Sequence, residues 1–177
     1  MELIIGQKVA YPNQGVCLVE AVEKRSVGNN SINCYSLRVL SDSSIIFVPT
    51  ANTANVGIRP IICPLEFKRL MSSLRKDFSE VSSDWKIRSR EYNEKLQSGN
   101  VFEAADVLKK LTFLSHEKKL SFREQTLLDK ARFLLVSEIT NAVLADEEKI
   151  EEKINKLVES ACDKHIVSQP QVMVAAH

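Results

Sequence analysis

The chain has 177 residues, 44% of them hydrophobic and 27% charged, with a formal net charge of +1. This is the composition of a water-soluble globular protein long enough for one large core or two small ones, and it excludes a low-complexity or disordered chain. No apolar run approaches the roughly 20 residues that a membrane-spanning helix needs, and the N-terminus Met1-Glu2-Leu3-Ile4-Ile5-Gly6-Gln7-Lys8 lacks the basic, then apolar, pattern of a secretory signal, so a cytoplasmic protein with no membrane partner is expected.

Up to about residue 60 the chain reads as β, with no helical pattern interrupting it. Val9-Ala10-Tyr11 leads into the turn Pro12-Asn13-Gln14-Gly15, and Val16 to Glu23 is rich in branched residues. Gly28-Asn29-Asn30 is a hairpin turn, because Gly and Asn tolerate positive φ. Cys34 to Leu40 and Ser44 to Val48 complete a set of short strands. So few residues with such tight turns favour a small, strongly bent sheet or barrel over a flat sheet.

After Pro60 the period changes to that of helices. Pro64 suits the first helical position. Asp84 or Ser83 can cap a second helix that runs to the Ser98-Gly99 break, and Asn100 with Glu103 has the spacing to start a third. Ser121-x-x-Glu124 is a capping box ahead of the stripe Leu127, Leu128, Ala131, Leu134, Leu135 and Ile139. A charged amphipathic segment from Asp146 to about Ala161 is the last helix expected. The organisation is therefore a β module over residues 1–60, a helical bundle over 64–161 and a flexible tail over 162–177.

Charge is unevenly spread. Residues 85–135 hold 11 Lys/Arg against 7 Asp/Glu, whereas residues 136–177 hold 4 against 8. Only the middle is suited to phosphates, and most of its cations, including Lys109, Lys110, Lys118, Lys119, Arg123, Lys130 and Arg132, are expected on solvated faces. Catalytic patterns are missing: His116, His165 and His177 are dispersed, no phosphate-cradling glycine loop exists, and Cys17, Cys34, Cys63 and Cys162 form no C-x-x-C pair and are expected as small buried residues. A nonenzymatic binding protein without cofactor, metal or small-molecule substrate is the expectation.

The single tryptophan, Trp85, lies in Ser82-Ser83-Asp84-Trp85-Lys86-Ile87-Arg88-Ser89-Arg90. It is either a core anchor or an exposed ring whose neighbouring cations hold phosphates. Helical spacing puts Lys86 and Arg90 on one face and Arg88 on another, where a role in the fold is the alternative to a phosphate contact.

Three stretches resemble the CarD/CdnL family of bacterial transcription regulators. Gly6-Gln7-Lys8-Val9-Ala10-Tyr11-Pro12-Asn13-Gln14-Gly15, ending in Val19-Glu20, is similar to the family's opening. Val48-Pro49-Thr50-Ala51-Asn52-Thr53-Ala54-Asn55-Val56-Gly57-Ile58-Arg59 resembles its V-P-x-x-N-x-x-x-V-G-[VIL]-R segment. In the helical half the likeness runs through Trp85 and its cations, Glu94 to Gly99, Leu120-Ser121-Phe122-Arg123-Glu124 and Ala131 to Glu138. The first half also looks like the polymerase-interacting module of transcription-repair coupling factor, but no helicase P-loop accompanies it.

The resemblance implies an α+β chain, with a Tudor-like β barrel docking on the RNA polymerase β subunit beside an all-α domain that contacts promoter DNA. It assigns Arg25 to polymerase carboxylates. It leaves Phe47 where some members carry a second polymerase-contacting arginine, and Arg38 on the neighbouring strand is a further candidate for that contact. It casts Trp85 as a wedge in the minor groove at the edge of melted DNA, with Lys86, Arg88 and Arg90 on the phosphate backbone. The competing expectation is a protein–protein adaptor with a Tudor- or SH3-like barrel and no functional DNA contact.

Overall fold

A computed structural model describes residues 1–169 and has an α+β architecture, strands first and helices after. Strands β1 (Lys8–Tyr11), β2 (Gly15–Val27), β3 (Asn30–Val39), β4 (Ile45–Pro49) and β5 (Arg59–Pro60) form one antiparallel sheet in the order β4-β3-β2-β1-β5. Its core is Leu3, Val9, Cys17, Val19, Tyr35, Leu37, Val39, Val48 and Ile58. In the long β2–β3 hairpin the register jumps between Val19 and Ala21, so Glu20 is a bulge that bends the sheet. Beyond the bulge, from Glu23 to the turn at Gly28 and Asn29, the hairpin leaves the core and is exposed on β2.

Among the described residues no ladder joins β4 to β5, so in place of the expected barrel there is an open, bent sheet. The physical reason lies in the strand ends: β5 is two residues long and stops at Pro60, which has no N–H to extend a ladder, and β4 ends at Pro49. The connection between them is not β either. A 3-10 turn (Thr50–Asn52) passes into the one-turn helix α1 (Thr53–Val56), tied to the N-terminus by Thr53 Oγ1 donating to the Met1 carbonyl at 3.1 Å.

Five further helices follow: α2 (Pro64–Leu74), α3 (Trp85–Gln97), α4 (Val101–Glu117), α5 (Phe122–Val143) and α6 (Glu147–Ser168). Each start carries the expected chemistry. Pro64 opens α2, Asp84 accepts from Lys86 N, Asn100 from Phe102 N, Ser121 from Glu124 N, and Asp146 from Glu148 N. α4 is central, packing on α2, α3, α5 and α6 around Leu70, Leu74, Tyr92, Leu96, Leu108, Leu111, Leu135, Ile139 and Ile154.

Three expectations change here: the end of the last helix, the exposure of Lys109 and Lys110, and the burial of Cys63. The last helix does not stop near residue 161. Its buried stripe Ile150, Ile154, Val158 and Ala161 continues at helical spacing through Cys162 and His165, so residues 162–168 are helix rather than tail. His165 Nδ1 lies 2.7 Å from Asp77 Oδ1, and its ring stacks on Phe78 at 4.1 Å, which makes a histidine acceptable in that stripe. The rest of the expected tail, residues 170–177, lies outside the described residues. Lys109 and Lys110 are buried, not solvated. Lys109 Nζ donates to the Ser73 and Lys76 carbonyls at the end of α2, and Lys110 pairs with Asp106 at 3.0 Å. Burial pushes the Lys109 pKa below the ordinary lysine value. Of the cysteines, Cys17, Cys34 and Cys162 are buried and Cys63, at the start of α2, is exposed.

The sheet and the helices meet at a tight joint made from the motif residues. Gly15 (φ +85°) and Gly99 (φ +73°) hold left-handed backbone; an added Cβ would sit 3.1 Å from the Phe133 ring and 3.0 Å from Pro12, respectively. Arg59, from β5, closes the joint. Its Nε and Nη2 donate to the Gly99 carbonyl at 3.0 and 2.8 Å, while Nη1 and Nη2 grip Glu138 of α5 at 2.6 and 2.8 Å. Glu138 also accepts from Ile62 N at 3.0 Å and is only 4% exposed. Arg59→Ala is expected to lower the unfolding free energy by about 3 kcal/mol, because it strands a buried carboxylate. Arg59→Lys should not restore it, since an ammonium cannot reproduce the planar fork. Urea unfolding curves of the two variants check this.

Candidate functional site

Two surfaces carry the candidate residues. On the sheet, side chains alternate between faces, and register shows which share one. Arg25 pairs with Ile32, Ala21 with Ser36, Phe47 with Ser36 and Arg38 with Ile45, so Arg25, Arg38 and Phe47 lie on the face opposite the core. Arg25 and Phe47 come together there: the guanidinium lies 3.3 Å from the ring centroid, a cation–π stack. Arg25 is half-exposed, its only ion pair among the described residues a long 3.8 Å contact to Glu23. Arg38 is differently placed. It binds Glu20 through Nε–Oε1 at 2.5 Å and Nη2–Oε2 at 3.1 Å, and donates to the Ser43 carbonyl at 3.1 Å. Its fork is spent on bracing the bulge residue, and that hydrogen-bonded pair raises its pKa further.

The second surface is the end of the bundle where α3 and α5 begin side by side. Arg88, one turn into α3, is 3% exposed. Its Nη1 donates to the Ser82 and Ser83 carbonyls at 2.7 and 2.8 Å, and its Nη2 to Glu124 of α5 at 2.7 Å. Glu124 Oε2 accepts from Ser121 N and Oγ, both at 2.9 Å. One buried ion pair thus fixes the loop before α3 to the start of α5. Burial alone would raise the Glu124 pKa; the hydrogen bonds from Arg88 and Ser121, with Lys118 nearby, outweigh it and hold the carboxyl at about 2. Arg88 thus differs from Lys86 and Arg90: its guanidinium is held inside the fold through Nη1 and Nη2, its buried Nε has no hydrogen-bond partner among the described residues, and it presents no charge at the surface.

That staple decides what faces solvent. Trp85 is the first residue of α3 and Phe122 the first of α5. Trp85 is 55% and Phe122 89% exposed, so the tryptophan is no core anchor. Both border the same surface groove of about 650 Å³, together with Lys86, Arg90 and Arg123. None of these three cations forms an ion pair among the described residues. Lys86 Nζ lies 5.8 Å from the Trp85 ring centroid. The sequence reading missed Phe122 as a site residue and left Arg123 among generic cations. No local signal marks Phe122, because its place beside Trp85 depends on how α3 and α5 pack.

The described residues contain no cluster of three His, Cys, Asp or Glu side chains able to hold a metal, and no helix long and apolar enough to cross a membrane.

Comparison with known proteins places these features in a family. Residues 3–62 match the family model described as CarD-like/TRCF RID domain, and residues 69–155 match the one described as CarD, C-terminal domain. The Bacillus subtilis (strain 168) protein named "Putative transcription factor YdeB" is 28% identical over 135 residues, spanning 76% of this chain and 88% of that protein. The solution structure of the 72-residue N-terminal domain of Myxococcus xanthus CarD is 32% identical, covering 33% of this chain and 79% of that one, with a TM-score of 0.29. The two family models follow one another in order and together span most of the sequence: the chain belongs to the CarD/CdnL family.

Proposed function

We propose that this protein is a nonenzymatic transcription regulator that docks on the RNA polymerase β subunit through its sheet and stabilises open promoter DNA through the Trp85 end of its helices. Family membership supports the transcription role and the polymerase engagement, and with them a place of action at the nucleoid in the cytoplasm. The observation that carries the DNA contact is the exposed Trp85 ring flanked by cations without carboxylate partners. An inserted ring offsets part of the stacking lost when duplex opens, and Lys86, Arg90 and Arg123 supply charge for phosphates. Contacts of this kind read backbone and shape, so little base-sequence specificity is expected.

The sheet, residues 1–60, acts as the Tudor-like polymerase module, left open between β4 and β5, and the helices from residue 64 onward act as the DNA module. Within the sheet, Arg25 is the contact we favour. Phe47 holds its guanidinium flat, which orients the fork toward a partner carboxylate for bidentate pairing. Phe47 thus supports the arginine instead of replacing a second one, and Arg38 braces Glu20.

Arg25→Glu is expected to weaken binding to the isolated polymerase β subunit by about tenfold or more, by placing like charges opposite each other. Unchanged affinity removes Arg25 from the interface. Binding of a promoter fragment tests the DNA half. Affinity should fall by about 0.9 log units per log unit of salt for each phosphate neutralised, and Arg90→Ala should reduce that slope by about one. A salt-independent or undetectable interaction would favour the adaptor reading.

A further inference from the structure

We infer that Trp85 and Phe122 together form a stacking slot for an unpaired nucleotide, with Lys86, Arg90 and Arg123 on its rim for the adjoining phosphates. This deepens the DNA contact proposed above and rests on it. Phe122 is the most exposed large hydrophobic side chain among the described residues, at 89%. The two rings do not stack on each other. Both rings border a groove of about 650 Å³ and an adjoining one of about 630 Å³, with Ser89 and Arg123 also common to both. The Arg88–Glu124 staple holds the two helix starts together, so the rings are presented from a rigid base.

The chemistry of the slot selects its occupant. Paired bases are stacked on one another and offer a protein only their edges, whereas an unpaired base offers its π-face. Two exposed aromatics match that face, and the polar wall from Ser89, Asn93 and Thr126 can meet base edges without demanding one sequence. The rim is cationic. Glu124 also borders the slot, but its oxygens are taken by Arg88 and Ser121, and Asp84 accepts from the Lys86 backbone N–H. The charge therefore favours an anionic strand over an acid-accepting or purely apolar protein partner.

Because Trp85 is the only tryptophan, its fluorescence reports this slot directly. The full chain is titrated with single-stranded oligothymidylate and, separately, with a blunt duplex. The single strand should quench Trp85 emission to saturation, and Phe122→Ala should weaken that binding by about tenfold, the range carried by one base–aromatic stack, while duplex affinity stays within about twofold. Phe122→Tyr should bind like the natural chain and Phe122→Leu should not, which separates stacking from mere apolar contact. Absence of saturable quenching in the natural chain, or equal single-strand affinity in the Ala or Leu variant, overturns the slot. Such a result leaves the Trp85 wedge standing, because that reading falls only if Trp85→Ala has no effect on promoter complexes.

Discussion

Arg88→Met is expected to destabilise the protein by about 3–5 kcal/mol, the cost of leaving one partner of a buried ion pair without the other. Both side chains are enclosed, 4% and 9% exposed, so solvent cannot take over the lost bonds. The effect should depend on pH with a definite sign. The Glu124 carboxyl is held at about 2 in the folded chain against an ordinary 4.5, so the unfolded chain binds the extra proton first. The contribution of this group is complete above about pH 5 and is lost as pH falls toward 2. Thermal melts of the natural chain should therefore drop in that window, and those of Arg88→Met should start lower and fall less steeply. A secondary consequence concerns function. With the staple gone, the starts of α3 and α5 are no longer held in place, and DNA binding should weaken although every DNA-facing side chain remains.

Trp85→Ala should do the reverse, leaving the fold nearly untouched and removing the DNA contact. A ring more than half exposed contributes little to folding, and Asp84 still caps α3, so the change in unfolding free energy should stay within about 0.5 kcal/mol. Loss of one inserted or stacked aromatic should weaken the DNA contact by about 1–3 kcal/mol, roughly 5- to 150-fold. Affinity for the polymerase β subunit should not change, because the contact proposed for it is Arg25 on the sheet and not a residue of α3. A large stability loss on this substitution would mean that the ring packs against the fold.

How much of this was legible beforehand follows from which interactions are local. Helix starts were readable because a cap and its partner are two or three residues apart: Asp84 with Lys86, and Ser121 with Glu124. The displacement of Arg88 from the Lys86–Arg90 face was likewise a matter of helical angle. The partner that buries it, Glu124, is 36 residues away, and only the packed bundle brings the two together. Phe122 was invisible for the same reason, since its meaning lies in standing beside Trp85. Lys109 and Lys110 look like solvated charge in the sequence; carbonyls at the end of α2 and Asp106 make them internal. The open sheet depended on a two-residue strand ending in Pro60, too short to leave a pattern. The extension of α6 was hidden by His165, a polar residue at a core position whose acceptance needs Asp77 and Phe78 from a distant loop.

The central claim is that an exposed tryptophan at the start of α3 holds promoter DNA open while the sheet holds polymerase. The most direct test is the lifetime of open promoter complexes formed by purified RNA polymerase with the natural chain, with Trp85→Ala, and without either. The account predicts that the natural chain lengthens the lifetime and that Trp85→Ala, bound to polymerase with unchanged affinity, returns it to the value without the protein. A Trp85→Ala variant that lengthens the lifetime as the natural chain does would contradict it.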